Sequence, residues 1–374
     1  MTPTQRIVRD ARYGRTAAVS ALTLLTLVAA TGCSQDSPDE KPAKGIVLDL
    51  GGEIAVLEEF DSKPEIVGYR PEGTETLDTY RLTSPSQLQS GDIVGIRDGG
   101  AVAISPAEPG KATLLAQATA WFPSVDAAKV WTVTEQARAI ACPGDEVPTT
   151  VRARYTITEH ETSGRPARRV LPLPCGVQPV AQTTGGIVAQ QTTHDEAVSG
   201  TATRARTSVV ILDKSGAVGS IVAKNSTVVA ALADRIIWRP DDCAGGSCTK
   251  VYNTQTKKSQ NAPACEAGDS VGTGLLAAGG RWYATTIRTG SGNRLGVLDL
   301  EKSTCRDLGI FSALEQTADV DQELGAMWSG SNLFLLDQRT GELVEHNAPT
   351  GRVERRRQPL TVTNGAQVWG ALKA

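Results

Sequence analysis

This sequence has no excess of basic charge. Its 38 Lys and Arg stand against 41 Asp and Glu, a formal net charge of -3 with pI near 5.8. A dedicated nucleic-acid binder is therefore excluded unless one face is locally basic. It also has no apolar run near the roughly 20 residues that a spanning helix needs. Histidine is scarce: His160, His194 and His346 lie in unrelated polar surroundings, and no pair has metal-ligand spacing. The cysteines show no C-x-x-C spacing and have no histidine nearby, which speaks against zinc. The G-x-G-x-x-G spacing of a phosphate loop is missing as well, and Gly290-Ser291-Gly292-Asn293 reads as a hairpin turn. No metal and no cofactor is expected. Sustained helical periodicity is scarce, yet 40% of the residues are hydrophobic, too many for wholesale disorder.

What is present begins with an address. Arg6, Arg9, Arg12 and Arg15 precede the apolar run Ala17 to Ala30, the layout of an export signal. The run ends Leu27-Val28-Ala29-Ala30-Thr31-Gly32-Cys33-Ser34, which resembles the lipobox of bacterial lipoproteins. The resemblance implies cleavage after Gly32, a diacylglyceryl thioether on Cys33, and a protein held on the outer face of the cytoplasmic membrane. The alternative is an ordinary secretory leader with a cysteine there by chance. Residues 34–44 are polar, Pro-containing and aperiodic, and read as a tether. The expected organisation is a signal peptide over 1–32, lipidated Cys33 and tether over 33–44, and a folded domain over 45–374. Without residues 1–32 the formal charge falls to about -6 by the same counting.

Export also explains the remaining cysteines. Cys142, Cys175, Cys243, Cys248, Cys265 and Cys305 are even in number, as disulfides in an oxidising compartment require. Cys243 and Cys248 bracket Ala-Gly-Gly-Ser, a loop able to close a small ring. Proximity in sequence then pairs Cys142 with Cys175 and Cys265 with Cys305.

The folded part reads as all-β, with short Val, Ile, Leu and Thr-rich segments between turn clusters. An apolar strand end followed by Asp or Asn recurs at Asp49, Asp213, Asn253, Asp299 and Asp337, the last four spaced by 40, 46 and 38 residues. A period near 40 to 45 marks a propeller of four-stranded blades. Two further turns, near Ser105-Pro106 and Leu173-Pro174, give seven blades. Trp238, Trp282, Trp328 and Trp369 recur at similar spacing, but Trp328 lies too near its turn and is expected on a different strand. The opening turn comes so early that two strands of its blade must come from elsewhere. Residues 359–363 and 367–372 are expected to supply them, closing the ring by pairing the two chain ends. Over residues 45–374 the pattern resembles β-propellers of the quinoprotein-like and WD-like kind, without the Trp-Asp or Gly-His pairs of WD repeats. Tandem β-sandwiches are the lesser alternative.

Several constellations suggest chemistry. Gly268-Asp269-Ser270-Val271-Gly272 fits the G-x-S-x-G nucleophile elbow, but its flanks lack the required strand and helix. It reads instead as a connection between blades, leaving Ser270 a weak catalytic candidate. His194 reads as part of an exposed loop. Asp319, Asp321 and Glu323 alternate as in calcium loops but lack the loop's glycine. Arg352, Arg355, Arg356 and Arg357, and Arg165, Arg168 and Arg169, form basic clusters that could meet anionic headgroups or else are solvated strand faces. Trp121-Phe122-Pro123 is an exposed aromatic anchor or part of the core. The expected function is a membrane-anchored binding or scaffolding module for a protein or cell-wall partner. The alternative is an exported hydrolase or lyase acting on a glycan or lactone in the central channel. Carboxylates at the channel mouth would favour the enzyme, and a neutral channel would count against it.

Overall fold

The structure is a computed structural model. It describes residues 44–51, 53–69, 82–109, 111–139, 152–165, 169–195, 204–243, 248–266, 268–309, 324–357, 359–363 and 365–372. Seven antiparallel four-stranded sheets surround an axis, a seven-bladed β-propeller. Blade 1 holds β1 (Gly45–Asp49), β2 (Glu53–Leu57) and β3 (Glu65–Tyr69), and blade 2 holds β4 (Thr83–Gln87), β5 (Ile93–Arg97), β6 (Gly100–Ile104) and β7 (Ala112–Gln117). Blade 3 is β8 (Ala120–Pro123), β9 (Lys129–Ala139), β10 (Arg152–Glu161) and β11 (Arg169–Pro172). Blade 4 is β12 (Val177–Thr183), β13 (Gly186–Asp195), β14 (Arg204–Leu212) and β15 (Val218–Lys224). Blade 5 is β16 (Ser226–Leu232), β17 (Arg235–Pro240), β18 (Lys250–Asn253) and β19 (Lys258–Asn261). Blade 6 is β20 (Asp269–Leu276), β21 (Trp282–Thr289), β22 (Gly292–Asp299) and β23 (Thr304–Gly309). Blade 7 is β24 (Leu324–Ser329), β25 (Asn332–Asp337), β26 (Leu343–Asn347) and β27 (Arg352–Arg357), and β28 (Gln367–Leu372) completes blade 1.

Burial follows position in the blade. Middle strands are covered on both faces by neighbouring blades and read as continuous apolar runs: every residue of β1 and of β6 is buried. Outer strands meet water, and all four residues of β19 are exposed.

The recurrent Asp or Asn works through local hydrogen bonding. Strand-end Asn253 Oδ1 accepts the amides of Gln255 and Thr256 at 2.9 and 2.7 Å. Asp299 and Asp337 do the same with Glu301 and Lys302, and with Arg339 and Thr340. Asp213 Oδ1 takes Ser215 and Ala217, and Asp49 Oδ1 takes Gly51. A short polar side chain thus satisfies turn amides that the ladder leaves free. The chain then turns through a left-handed residue, Lys257 (φ 56°), Ser303 (φ 53°) or Gly341 (φ 73°).

These markers do not all stand in one phase. Asp213, Asn253 and Asp299 end third strands, and Ser105-Pro106 also follows one, whereas Asp49 and Asp337 end second strands and Leu173-Pro174 follows the outer strand β11. One marker falls in each blade, so the count of seven stands. Trp328 lies on the innermost strand β24, while Trp238 and Trp282 lie on second strands, as their spacing predicts. Residues 290–291 form the two-residue turn of the β21–β22 hairpin.

The ring closes through the chain ends, with one donated strand rather than the two expected. β28 pairs antiparallel with β1, Gly45 opposite Leu372 and Ile46 opposite Ala371. Residues 359–363 are not a strand. They bond instead across the blade 7 to blade 1 junction, Leu360 N to Gly341 O at 2.8 Å and Thr363 N to Leu50 O at 2.9 Å. Three strands lie between Gly45 and Tyr69, so one more strand completes the sheet. At this seam the inner strands approach closely. A Cβ on Gly325 would lie 2.6 Å from Gln367 Cα, so only glycine fits.

Two disulfides pair as their proximity predicts. Cys243 and Cys248 join across 5.8 Å between Cα atoms, and Cys265 joins Cys305 across 5.0 Å. Cys175 is also disulfide-bonded, and Cys142 lies outside the described residues.

Candidate functional site

The innermost strands β28, β4, β8, β12, β16, β20 and β24 each pair on one side only and turn their other edge toward the axis. Proline is tolerated there because an edge strand need not donate every amide. Pro85, Pro123 and Pro179 sit in β4, β8 and β12. Together these strands wall a central channel. Where the inner strands end, a cavity of about 270 Å³ is lined by residues such as Val125, Thr184, Leu276, Ala278, Met327 and Trp328. A wider space of about 570 Å³ lies beyond, walled by Trp121, Val180, Ala231, Gly325 and Gln367 among others. Both are bounded by Pro85, Ser86, Pro123, Leu275 and Ala326.

Among the described residues no Asp, Glu, Lys, Arg or His lines either space. Its polar side chains are largely committed within the fold. Gln182 Oε1 accepts Trp131 Nε1 at 2.7 Å and Val125 N at 3.2 Å. Gln87 bonds both backbone groups of Ala371 across the blade 2 to blade 1 boundary. Indole Trp328 Nε1 donates to Leu275 O at 3.0 Å, and Trp121 Nε1 to Ser84 O at 3.1 Å. The wall is apolar side chain and strand edge. It offers no general acid, base or metal ligand among the described residues.

The sequence candidates fall elsewhere. Trp121 and Phe122 belong to this wall and are no exposed anchor: Phe122 is buried and stacks with Trp131 at 6.4 Å between ring centres. Ser270 lies within β20 itself, opposite Ile287, and the strand runs on to Leu276 with no helix after it. The motif is neither an elbow nor a connection between blades. His194 is a strand residue of β13, opposite Ala205, not part of a loop. His160 and His346 are buried in blades 3 and 7, and burial lowers the pKa of each, helped at His346 by Arg356. Cys33, Asp319, Asp321 and Glu323 lie outside the described residues. Among the described residues no cluster of His, Cys, Asp and Glu could hold a metal ion.

Apart from exposed Arg352, the described arginines of the basic clusters are spent on structure. Arg355 pairs with the buried carboxylate of Glu345 and stacks over Phe60 at 4.6 Å, and Arg356 meets Glu342 at 2.8 Å. Arg357 donates to the Phe60 carbonyl at 2.7 Å, pinning blade 7 to blade 1. Arg165 pairs with Glu161, and Arg169 bonds Lys214 O at 2.6 Å. Arg168 lies outside the described residues.

Sequence reasoning named a central channel but not the stretches that line it, although a signal existed. Apart from Asp269 at the start of β20, each inner strand lies in a stretch without charge: residues 82–89, 118–125, 177–186, 226–233, 270–280, 324–330 and 366–372. In a chain that is 21% charged, seven such stretches at blade spacing mark one shared neutral surface.

The fold and site define the class: a seven-bladed β-propeller with a neutral channel. No protein family and no curated protein matches the sequence. Among solved structures, an acylaminoacyl peptidase from Pyrococcus horikoshii is similar over 83% of this chain and 48% of its own, at 12% identity and a TM-score of 0.51. Its uncomplexed form gives 82%, 47%, 12% and 0.50. A puromycin-hydrolyzing peptidase from Mycobacterium tuberculosis is 17% identical over 81% of this chain and 48% of its own, with a TM-score of 0.42. The chain spans about half the length of these peptidases. At such identity the likeness shows the fold alone.

Proposed function

We propose that this chain is an exported, lipid-anchored β-propeller that binds a protein or cell-envelope partner rather than transforming a substrate. The observation that carries this reading is the channel wall, where seven inner strands contribute no carboxylate, no histidine and no cation among the described lining residues. Hydrolysis or elimination on a glycan needs paired acid and base groups, and the described lining residues supply none. Arg165, Arg169, Arg355, Arg356 and Arg357 are engaged within the fold, which supports headgroup attachment through the lipid on Cys33. The lipobox resemblance and the disulfides together support an oxidising, extracytoplasmic setting.

Crosslinking in native membranes, followed by mass spectrometry, tests this reading by comparing the native chain with Cys33→Ser. The expected result is fractionation of the native chain with membranes, release of Cys33→Ser, and a specific partner enriched only with the anchored form. Membrane retention of Cys33→Ser overturns the anchor. Absence of any enriched partner overturns the binding role.

A further inference from the structure

Three properties of the channel point to one kind of occupant. First, its described lining residues are uncharged, so a ligand carrying a carboxylate, phosphate or ammonium group would lose water there with no charged partner to replace it. Second, several polar side chains of the wall already have partners inside the fold, so side-chain recognition of a hydroxyl-rich sugar is poorly served. Third, the wall is built from strand edges. In an antiparallel pair alternate residues turn N–H and C=O away from the partner, and for the inner strands that direction is the axis. These edge carbonyls do accept N–H donors where one is within reach. Leu275 O takes Trp328 Nε1, and Ser84 O takes Trp121 Nε1. A ligand matched to such a wall must be apolar in its side groups and rich in amides along its length.

We infer that the central channel binds an uncharged, extended peptide segment of small and apolar residues, held by main-chain hydrogen bonds to the inner strand edges. This rests on the reading of the chain as a binding module and identifies the channel as its binding surface. Inner strands of four to eight residues match a segment of roughly five or six residues at about 3.3 Å each. The segment enters at the mouth where the inner strands end. Val125 stands there, 53% exposed, beside Met327 and Trp328. This is strand addition at an edge, carried out inside a ring.

Trp121 and Trp328 on the wall serve as reporters. Fluorescence of the full chain is titrated with acetyl-Ala-Leu-Gly-Val-Ala-Gly-amide and with the same peptide carrying Asp in place of its first Gly. The expected result is a saturable change with the neutral peptide and binding at least about tenfold weaker for the charged one, because the wall cannot pair a carboxylate. Val125→Arg at the exposed mouth and Ala278→Arg in the turn after β20 both abolish the neutral signal while leaving the thermal melt in place. Three results overturn the inference: no saturable change, equal binding of the two peptides, or undiminished binding in both arginine variants. Saturable binding of the neutral dye Nile red without peptide binding also overturns it, in favour of a small apolar molecule. None of these results bears on whether the anchored chain captures a partner in membranes, so the two proposals fail separately.

Discussion

Blade 7 begins and ends on an edge strand, and the two could hardly differ more. Inner strand β24 reads Leu-Gly-Ala-Met-Trp-Ser without a charge, whereas outer strand β27 reads Arg-Val-Glu-Arg-Arg-Arg. Both have a ladder partner on one side only. An outer edge is open to any strand from another molecule and is guarded by charge. An inner edge is guarded by the ring, which admits only what fits the channel, so its sequence can stay neutral. The difference separates two problems, exclusion at the rim and selective admission at the axis.

The strongest way to break that comparison is to cut the link between the edges. Cys265, in the segment leading to inner strand β20, is bonded to Cys305 on outer strand β23 across 40 residues. Loss of this bond in Cys265→Ser/Cys305→Ser is expected to lower stability by about 4 kcal/mol, against about 2 kcal/mol for Cys243→Ser/Cys248→Ser, which closes a far shorter loop. Urea unfolding of the two double variants checks the order, and equal losses would contradict it.

A smaller effect distinguishes residues on the guarded edge itself. Arg355→Ala leaves the carboxylate of Glu345, 1% exposed, without its cation, and should cost about 3 kcal/mol. Arg352 lies on the same strand, and its loss should stay within about 0.5 kcal/mol. Similar midpoints for the two variants would mean that β27 acts only as a solvated charge screen.

The third test lies between the edges, at His346 on β26. Burial holds its folded pKa below the ordinary 6.5, so the unfolded chain takes up the proton first. Its contribution is present above pH 6.5 and is lost as pH falls from there toward the folded value. His160 acts in the same direction. Thermal melts between pH 7.5 and 5 should fall less steeply for His346→Gln than for the native chain. Parallel slopes would remove His346 from the account.

Much of the architecture was legible because turns follow local chemistry. Asp213, Asn253 and Asp299 announce their blades by bonding their own turn amides, which takes only neighbours in sequence. Phase within the blade was less legible. Asp49 and Asp337 make the same bonds at second-strand ends, since the side chain senses the turn and not the strand's rank. The closing strand was placed at residues 367–372 correctly, but 359–363 was over-read, because an apolar segment that crosses a junction looks like one that joins a ladder. The lining of the channel escaped notice for another reason. Ser270, the histidines and the arginines attract attention by their reactivity, while the wall is defined by residues that carry none.

The seam between β28 and β1 makes the folded body a nicked circle. Lys44 N donates to Leu372 O at 2.9 Å, so the two ends of the described chain meet on one sheet. Where the nick lies is then a matter of synthesis rather than of packing. A permuted chain, joined from Leu372 to Lys44 by a few residues and opened at the exposed Gly290–Ser291 turn, would keep every blade and move its two ends from blade 1 to blade 6.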